Sequence, residues 1–177
     1  MSLRIILIDA DVVSHFITAG EQSELNKIFQ NPIHILDKVL AEATRLPSRK
    51  TIVDNIVANG VLTVLPFPDS DPDVKQEYFW IKKMMDKGDG ESATMAVARH
   101  HNNIIASSNL RDIKNYCSNH KIDYLTTMDF LCYALTNGRW TESRCNDFIS
   151  KVLSKKSKLP CKTMSEHSCR PLDFVNQ

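Results

Sequence analysis

Apolar positions along this chain fall into short continuous runs that alternate with longer stretches of helical spacing. The first run, Leu3 to Asp9, is apolar at five of its first six positions, three of them isoleucine. A run of this length, apolar throughout, predicts a strand buried on both faces of a parallel sheet. The next segment, Asp11 to Ala19, reads as a short helix stopped by Gly20, and Glu21 to Gln30 as a second helical stretch broken by Asn31-Pro32. Ile33–Leu36 is a second strand. Asp37 caps a helix over Lys38–Leu46 that Pro47 ends, and Arg49–Asn59 is amphipathic up to Gly60. Val61–Leu65 is a third strand, followed by a loop and a helix over Asp73–Asp86 carrying Tyr78, Trp80, Ile81, Met84 and Met85. Gly88-Asp89-Gly90-Glu91 predicts a sharp turn into a helix over Ser92–His101. Asn103–Ser108 is a fourth strand, a helix runs to His120, and Ile122–Thr126 is a fifth strand. Helices over Met128–Thr136 and from the Thr141 cap to Leu153 close the pattern.

Strands alternating with helices of about ten residues mean βαβ units. Right-handed crossovers then place helices on both faces of the sheet. The expected fold class is α/β, a three-layer αβα sandwich around a parallel five-stranded sheet. Residues 1–154 form the domain, and residues 155–177, basic and then polar with Pro160 and Pro171, read as an extended C-terminal tail.

Composition changes this picture little. The 177 residues are 42% hydrophobic, enough for an ordinary core. The net charge is +1, so nucleic-acid binding would need a local basic patch or a metal, not a basic bulk. The 5 cysteines are an odd number without a CxxC pair, which suits reduced thiols and a cytoplasmic protein. The start ends its apolar run too soon for a signal peptide, and no segment approaches the roughly 20 apolar residues of a membrane span.

The candidate chemistry lies in acids that recur where strands end and helices begin. Asp9, with Asp11, follows the first strand; Glu42 lies early in the helix after the second; Glu91 opens the helix before the fourth; Asn109 and Asp112 follow the fourth. In a parallel sheet these points lie towards one carboxyl edge, where open α/β sheets bind ligands. Each acid alone reads as a helix cap or a solvated helix face. As a set they repel one another unless a cation is present. Mg²⁺ and Mn²⁺ prefer oxygen ligands, can polarise a phosphodiester and lower the pKa of a bound water, so the set points to hydrolysis of a phosphate backbone.

With these residues in hand, the chain resembles the PIN-domain family of metal-dependent ribonucleases, which includes VapC-type toxins of toxin–antitoxin pairs. Ile8-Asp9-Ala10-Asp11-Val12-Val13 is similar to the family's strand-end D-x-N/D-x-L/I, and Leu40-Ala41-Glu42 to its L/A-E helix. Gly90-Glu91-Ser92-Ala93 with its alanine-rich helix, and Ser107-Ser108-Asn109-Leu110-Arg111-Asp112 after the fourth strand, match two further segments. The match runs in register over roughly residues 3 to 136. It implies a PIN-like fold and an endoribonuclease using Mg²⁺ or Mn²⁺, with RNA as substrate and an antitoxin protein or a second copy of the chain as candidate partners. Carried over, Asp9 and Glu91 bind metal, Glu42 binds it or orients water, and Asn109 or Asp112 completes the site. The family often has an acid where Asn109 stands. It often has Ser, Thr or Asn where Asp11 stands, which leaves Asp11 as a supporting residue or a cap.

Two other readings compete. A PIN-like scaffold with weakened catalysis would bind RNA or protein, and Asn109 favours it. Asp9-Ala10-Asp11 also resembles the DxD of haloacid-dehalogenase-like phosphatases, but Ser107-Ser108-Asn109 lacks the acidic pair that family needs. His15 and His34 read as packing or surface residues. Lys151, Lys155, Lys156 and Lys158 form a basic run, either a solvated face or a hold for RNA phosphates beside the site. The aromatic and methionine stripe of the fifth helical stretch reads as core or subunit interface.

Overall fold

The computed structural model describes residues 3–177, apart from the side chain of Asp112. The chain runs β1 (Ile6–Ile8), α1 (Ala10–Ala19), α2 (Leu25–Ile28), β2 (Ile33–Leu36), α3 (Asp37–Ala43), α4 (Pro47–Ala58) and β3 (Thr63–Leu65). It continues with α5 (Pro72–Met85), α6 (Asp89–His101), β4 (Ile104–Ala106), α7 (Leu110–His120), β5 (Tyr124–Leu125), α8 (Thr127–Thr136) and α9 (Glu142–Ser154). The sheet has five strands in the order β3-β2-β1-β4-β5, and every pairing is parallel. β1 is therefore central. Its Ile6, Leu7 and Ile8 have no exposed surface, as a strand covered on both faces requires. α1 packs on α9, and α8 on α2 and α9, while α5, α6 and α7 pack together with α6 lying over β1, β2 and β4. The expected αβα sandwich is the observed one.

Local chemistry explains most element ends. Gly20 closes α1 in the left-handed region (φ 76), a conformation open to glycine at little cost. Thr126 and Asp129 form a reciprocal capping box at the start of α8, and the Thr141 hydroxyl accepts from the Arg144 N–H at the start of α9. Several expectations fail at their boundaries. The stretch expected as a helix over Glu21–Gln30 is a 3₁₀ turn, Gln22–Glu24, followed by the single turn of α2. Pro47 does not end a helix but begins α4, because a proline's missing N–H is harmless at the first helical position. α3 therefore stops at Ala43, which puts Glu42 in its last turn. The Gly88–Glu91 turn is instead Gly88 as cap followed by the first turn of α6. The α5 stripe divides: Tyr78 and Ile81 are buried, whereas Phe79, Trp80 and Met84 are exposed.

The C-terminal residues do not extend away from the body. Cys161, Met164 and Val175 are buried against it. Arg170 makes two hydrogen bonds to the Asp129 carboxylate, at 2.9 and 2.8 Å, and stacks over the Tyr124 ring. The Asn176 N–H donates to Asn31 Oδ1 at 2.6 Å. Cys169 is joined to Cys132 of α8 by a disulfide, which overturns the expectation that all the cysteines are reduced. Cys117, Cys145 and Cys161 are buried free thiols, and burial raises the pKa of each. The cytoplasmic expectation drawn from cysteine usage loses that support, since disulfides are uncommon in reducing compartments. Among the described residues, no helix is long and apolar enough to cross a membrane.

Candidate metal centre and nucleic-acid cleft

The strand order creates the site. The chain moves from β1 outward to β2 and β3, then returns to place β4 on the other side of β1, so the switch point lies between β1 and β4. Crevices at such points, beyond the carboxyl ends of the strands, are where open α/β sheets hold ligands. Asp9 leaves β1 there and is tied to the neighbouring strand end by its N–H, which donates to the Ala106 carbonyl at 2.8 Å. Its carboxylate caps α1 by accepting from the Ala10 N–H at 2.8 Å. The cap expected of this residue is therefore present, and it leaves the second carboxylate oxygen for other partners.

Asp11 reaches across the crevice to the turn after β4. Its Oδ2 accepts from the Ser108 N–H at 2.8 Å and lies 3.5 Å from the Ser107 hydroxyl, and Oδ1 accepts from the Val12 N–H at 2.6 Å. Burial raises its pKa, against these backbone donors. Burial, and next the Asp11 carboxylate, push Asp9 up to about 7; Glu91 adds to this, while the Ala10 N–H and the Ser107 hydroxyl oppose it. Asp9, Asp11 and Glu91 therefore share one electrostatic environment. Like charges gathered out of water each resist ionisation.

Glu91 sits in the first turn of α6 with Lys87 3.9 Å from its Oε1. Glu42 comes from the opposite side: its Oε1 accepts from the Gly90 N–H at 3.0 Å, clamping α3 to the start of α6. Only glycine permits this approach. A Cβ at position 90 would stand 2.8 Å from Glu42 Oε2 and 3.2 Å from Val39 Cα. Asn109 precedes α7, exposed at the rim, and its N–H donates to the Ser107 hydroxyl at 3.3 Å. Asp112 lies within α7, with its side chain outside the described residues. Asp9, Glu42, Glu91 and Asn109 thus all stand around the carboxyl edge, but with different partners.

An open cleft of about 550 Å³ adjoins this edge, and of the acids discussed Asp11 is the one that lines it. Asp11, His15, Ser108 and Asn109 line one part of it, and Arg49 of α4 and Lys158 of the C-terminal segment line another. His15 is buried, hydrogen-bonded through Nδ1 to the Thr127 hydroxyl at 2.8 Å, and burial followed by the Arg49 charge lowers its pKa to about 4. The Thr127 hydroxyl in turn contacts the Ser108 hydroxyl at 2.7 Å, which links His15 to the turn that Asp11 braces. The basic run divides in the same way: Lys158 faces the cleft, whereas Lys151 pairs with Asp147 on α9.

A divalent cation fits the chemistry of this donor set. Its oxygens are carboxylate, and the Asp11 and Glu91 charges that add to burial in raising the Asp9 pKa are ones a nearby positive charge would offset. Among the described residues, no three acidic, histidine or cysteine side chains stand ready to hold one ion together. Mg²⁺ is compatible with that, since it is usually bound through one or two carboxylates and keeps several waters.

No known protein family's model matches the chain, and no curated protein matches its sequence. Solved structures do match its shape. VapBC2 from Rickettsia felis, crystallised bound to a DNA fragment from the promoter of its own genes, superposes with a TM-score of 0.50 at 12% identity, covering 69% of this chain and 98% of that one. The fold is PIN-like. FitAcB from Neisseria gonorrhoeae covers 70% of this chain and 98% of its own at a TM-score of 0.44 and 16% identity. From the sequence, Asp9, Glu42 and Glu91 were singled out, Asp11 was placed behind them, Ser107 and Ser108 were quoted only as part of a matching segment, and Arg49 was not singled out. Asp11 carried a signal, its spacing of two from Asp9. Arg49 carried none, because nothing in the α4 sequence indicates that it faces the cleft.

Proposed function

We propose that this PIN-like protein is a metal-dependent endoribonuclease whose centre is Asp9, Asp11 and Glu91 at the β1–β4 switch point. The observation that carries this reading is that burial, with the Asp11 and Glu91 charges added to it, raises Asp9 to about 7, while Asp11 lines a cleft shared with Arg49 and Lys158. Asp9 and Glu91 would hold Mg²⁺ or Mn²⁺ through their oxygens. When bound, such an ion polarises a phosphodiester and makes water a better nucleophile near neutral pH. The protein's own groups do the rest. Asp9 is fixed by the sheet and by the Ala10 N–H, so it needs no ordering on binding. Asp11 holds the Ser108 turn, and Glu42 holds the start of α6, which sets the position of Glu91. Arg49 and Lys158 offset phosphate charge along the cleft. Asn109 or Asp112 would complete the ring of oxygens.

The fold-level likeness to VapBC2 is compatible with an antitoxin protein as partner and a toxin role, which we propose together with the activity. Incubating the protein with mixed RNA and Mg²⁺ or Mn²⁺ should yield cleavage that EDTA abolishes and that Asp9→Asn lacks. RNA left uncut by wild type with both metals would refute the nuclease reading. The competing reading, a PIN-like binding scaffold, is favoured by Asn109 where an acid is usual. It predicts RNA or protein binding that ignores metal.

A further inference from the structure

Beside the acidic centre, a second cavity of about 390 Å³ has a different character. Leu110, Met128, Leu159 and Pro160 form its walls, and Thr126 and His167 supply its polar edge. It adjoins the cleft, with Ser108 and Lys158 lining both. A strand whose phosphate is held by Lys158 in the cleft would therefore have its adjoining nucleoside at the mouth of this cavity. We propose that the cavity is a nucleobase subsite that takes one unpaired base of single-stranded RNA. This rests on the nuclease reading for the direction in which the strand runs, and it names the strand's form as the basis of selection.

The chemistry suits a base better than another phosphate or a sugar. Apolar walls flank a flat aromatic ring favourably, while Thr126 and His167 can meet hydrogen-bonding groups at its edge. A base stacked within a duplex cannot enter such a cavity without being unpaired, so the strand must be single or locally open. The walls are also set in advance. Leu159 and Pro160 lie between the end of α9 and Cys161, which is buried with its Sγ 3.9 Å from Met128 Sδ. Further on, the Met164 N–H donates to Asn146 Oδ1 at 2.7 Å, and the Cys132–Cys169 disulfide fixes the segment to α8. The subsite is thus built jointly by the β4–α7 turn and by the C-terminal segment, and little ordering is needed when a base enters.

The test uses the full chain in EDTA, so that binding is read without cleavage. A fluorescein-labelled single-stranded oligoribonucleotide of mixed sequence is compared with a series carrying one abasic nucleotide at each position in turn, and with the same strand in a duplex. Anisotropy should show one abasic position that weakens binding about tenfold, the scale of losing one stacked base, with the duplex a poor competitor. Leu110→Trp, at a partly exposed position at the start of α7, fills the cavity without emptying the core. The Leu110→Ser, Leu159→Ser double variant removes two walls. Both variants should bind the intact strand about tenfold more weakly and should no longer distinguish the abasic strand, with melting temperatures recorded alongside. Lys158→Ala should instead weaken all strands alike and flatten the salt dependence. The subsite is overturned if wild type does not bind, if every abasic position is equivalent, or if the filled variant keeps the discrimination. Cleavage with Mg²⁺ or Mn²⁺ is scored separately. Discrimination without cleavage would refute the nuclease and leave the subsite standing, and cleavage without discrimination would do the reverse.

Discussion

Replacing Asp9 by Asn should stabilise the metal-free protein while abolishing metal-dependent cleavage. Asp9 is half-buried beside Asp11 and Glu91, and its carboxyl is pushed from its ordinary 3.8 to about 7. At roughly 1.4 kcal/mol per pH unit, keeping it ionised above pH 7 costs the folded state about 4 kcal/mol. Because the folded-state value is raised, folding takes up a proton between about pH 4 and 7. The cost is therefore complete above pH 7, shrinks as the pH falls, and is gone near pH 4. Part of it belongs jointly to the neighbouring acids, so Asn at position 9 should recover about 2–4 kcal/mol at pH 8. Asn keeps the shape and is as good a helix cap as Asp, so the bond from the Ala10 N–H survives. For a chain of this size each kcal/mol moves the melting temperature by roughly 2–4 °C. Calorimetry in EDTA at pH 8 should then place the variant roughly 5–10 °C above wild type, with the gap closing towards pH 5. Added Mg²⁺ or Mn²⁺ should raise wild type and leave the variant nearly unmoved. A variant that melts below wild type in EDTA at pH 8, or a gap that does not change with pH, would refute the electrostatic argument.

Other expectations follow from single contacts. Gly90→Ala puts a methyl where Glu42 Oε2 and Val39 Cα now stand; it should cost about 1–3 kcal/mol in thermal melts and reduce cleavage further than that loss of folded protein explains. Cys169→Ser opens a link spanning 37 residues, for which loop entropy sets a ceiling of about 4 kcal/mol. Its melting temperature should fall and should no longer respond to reductant, whereas a wild type showing five free thiols by non-reducing mass spectrometry would rule the link out. His15, lowered to about 4, contributes stability that is present above its unfolded value of about 6.5 and lost as the pH falls towards 4. Urea melts of His15→Asn should be flatter than wild type over that range, and the wild-type acid loss should steepen once Asp9→Asn removes the opposing trend.

Short-range pattern determined the elements of this protein. The apolar run ending in Asp9 can be satisfied only by a strand covered on both faces. Thr126 with Asp129, Thr141 and Gly20 fix their helix ends through contacts with near neighbours in the chain. The recurrence of acids at strand ends and helix starts was legible from the same alternation, which is why Asp9, Glu42 and Glu91 stood out as candidates. Pattern failed where one residue serves two local purposes. Pro47 can end one helix or begin the next, and Gly88 to Glu91 can be a turn or a first helical turn, because neither choice changes which side chains are apolar.

What only the tertiary structure decided depends on distance in sequence. The order β3-β2-β1-β4-β5 brings Asp11 to Ser108 across 97 positions and sets its charge beside Asp9. Glu42 meets Gly90 across 48, an approach that requires the missing Cβ of one particular glycine. Arg49 and Lys158 come to line one cleft with Asp11 only when α4 and the C-terminal segment fold over the same edge. The pKa of Asp9 is the sum of burial and of charges delivered by other elements, so no reading of its own stretch could supply it. The five cysteines allowed many pairings and none, and the choice of Cys132 with Cys169 was made by a C-terminal segment that turns back onto α8. Hydrophobic periodicity is a property of adjacent residues. A binding centre is a property of residues that packing makes adjacent, and here the switch point between β1 and β4 is where the two meet.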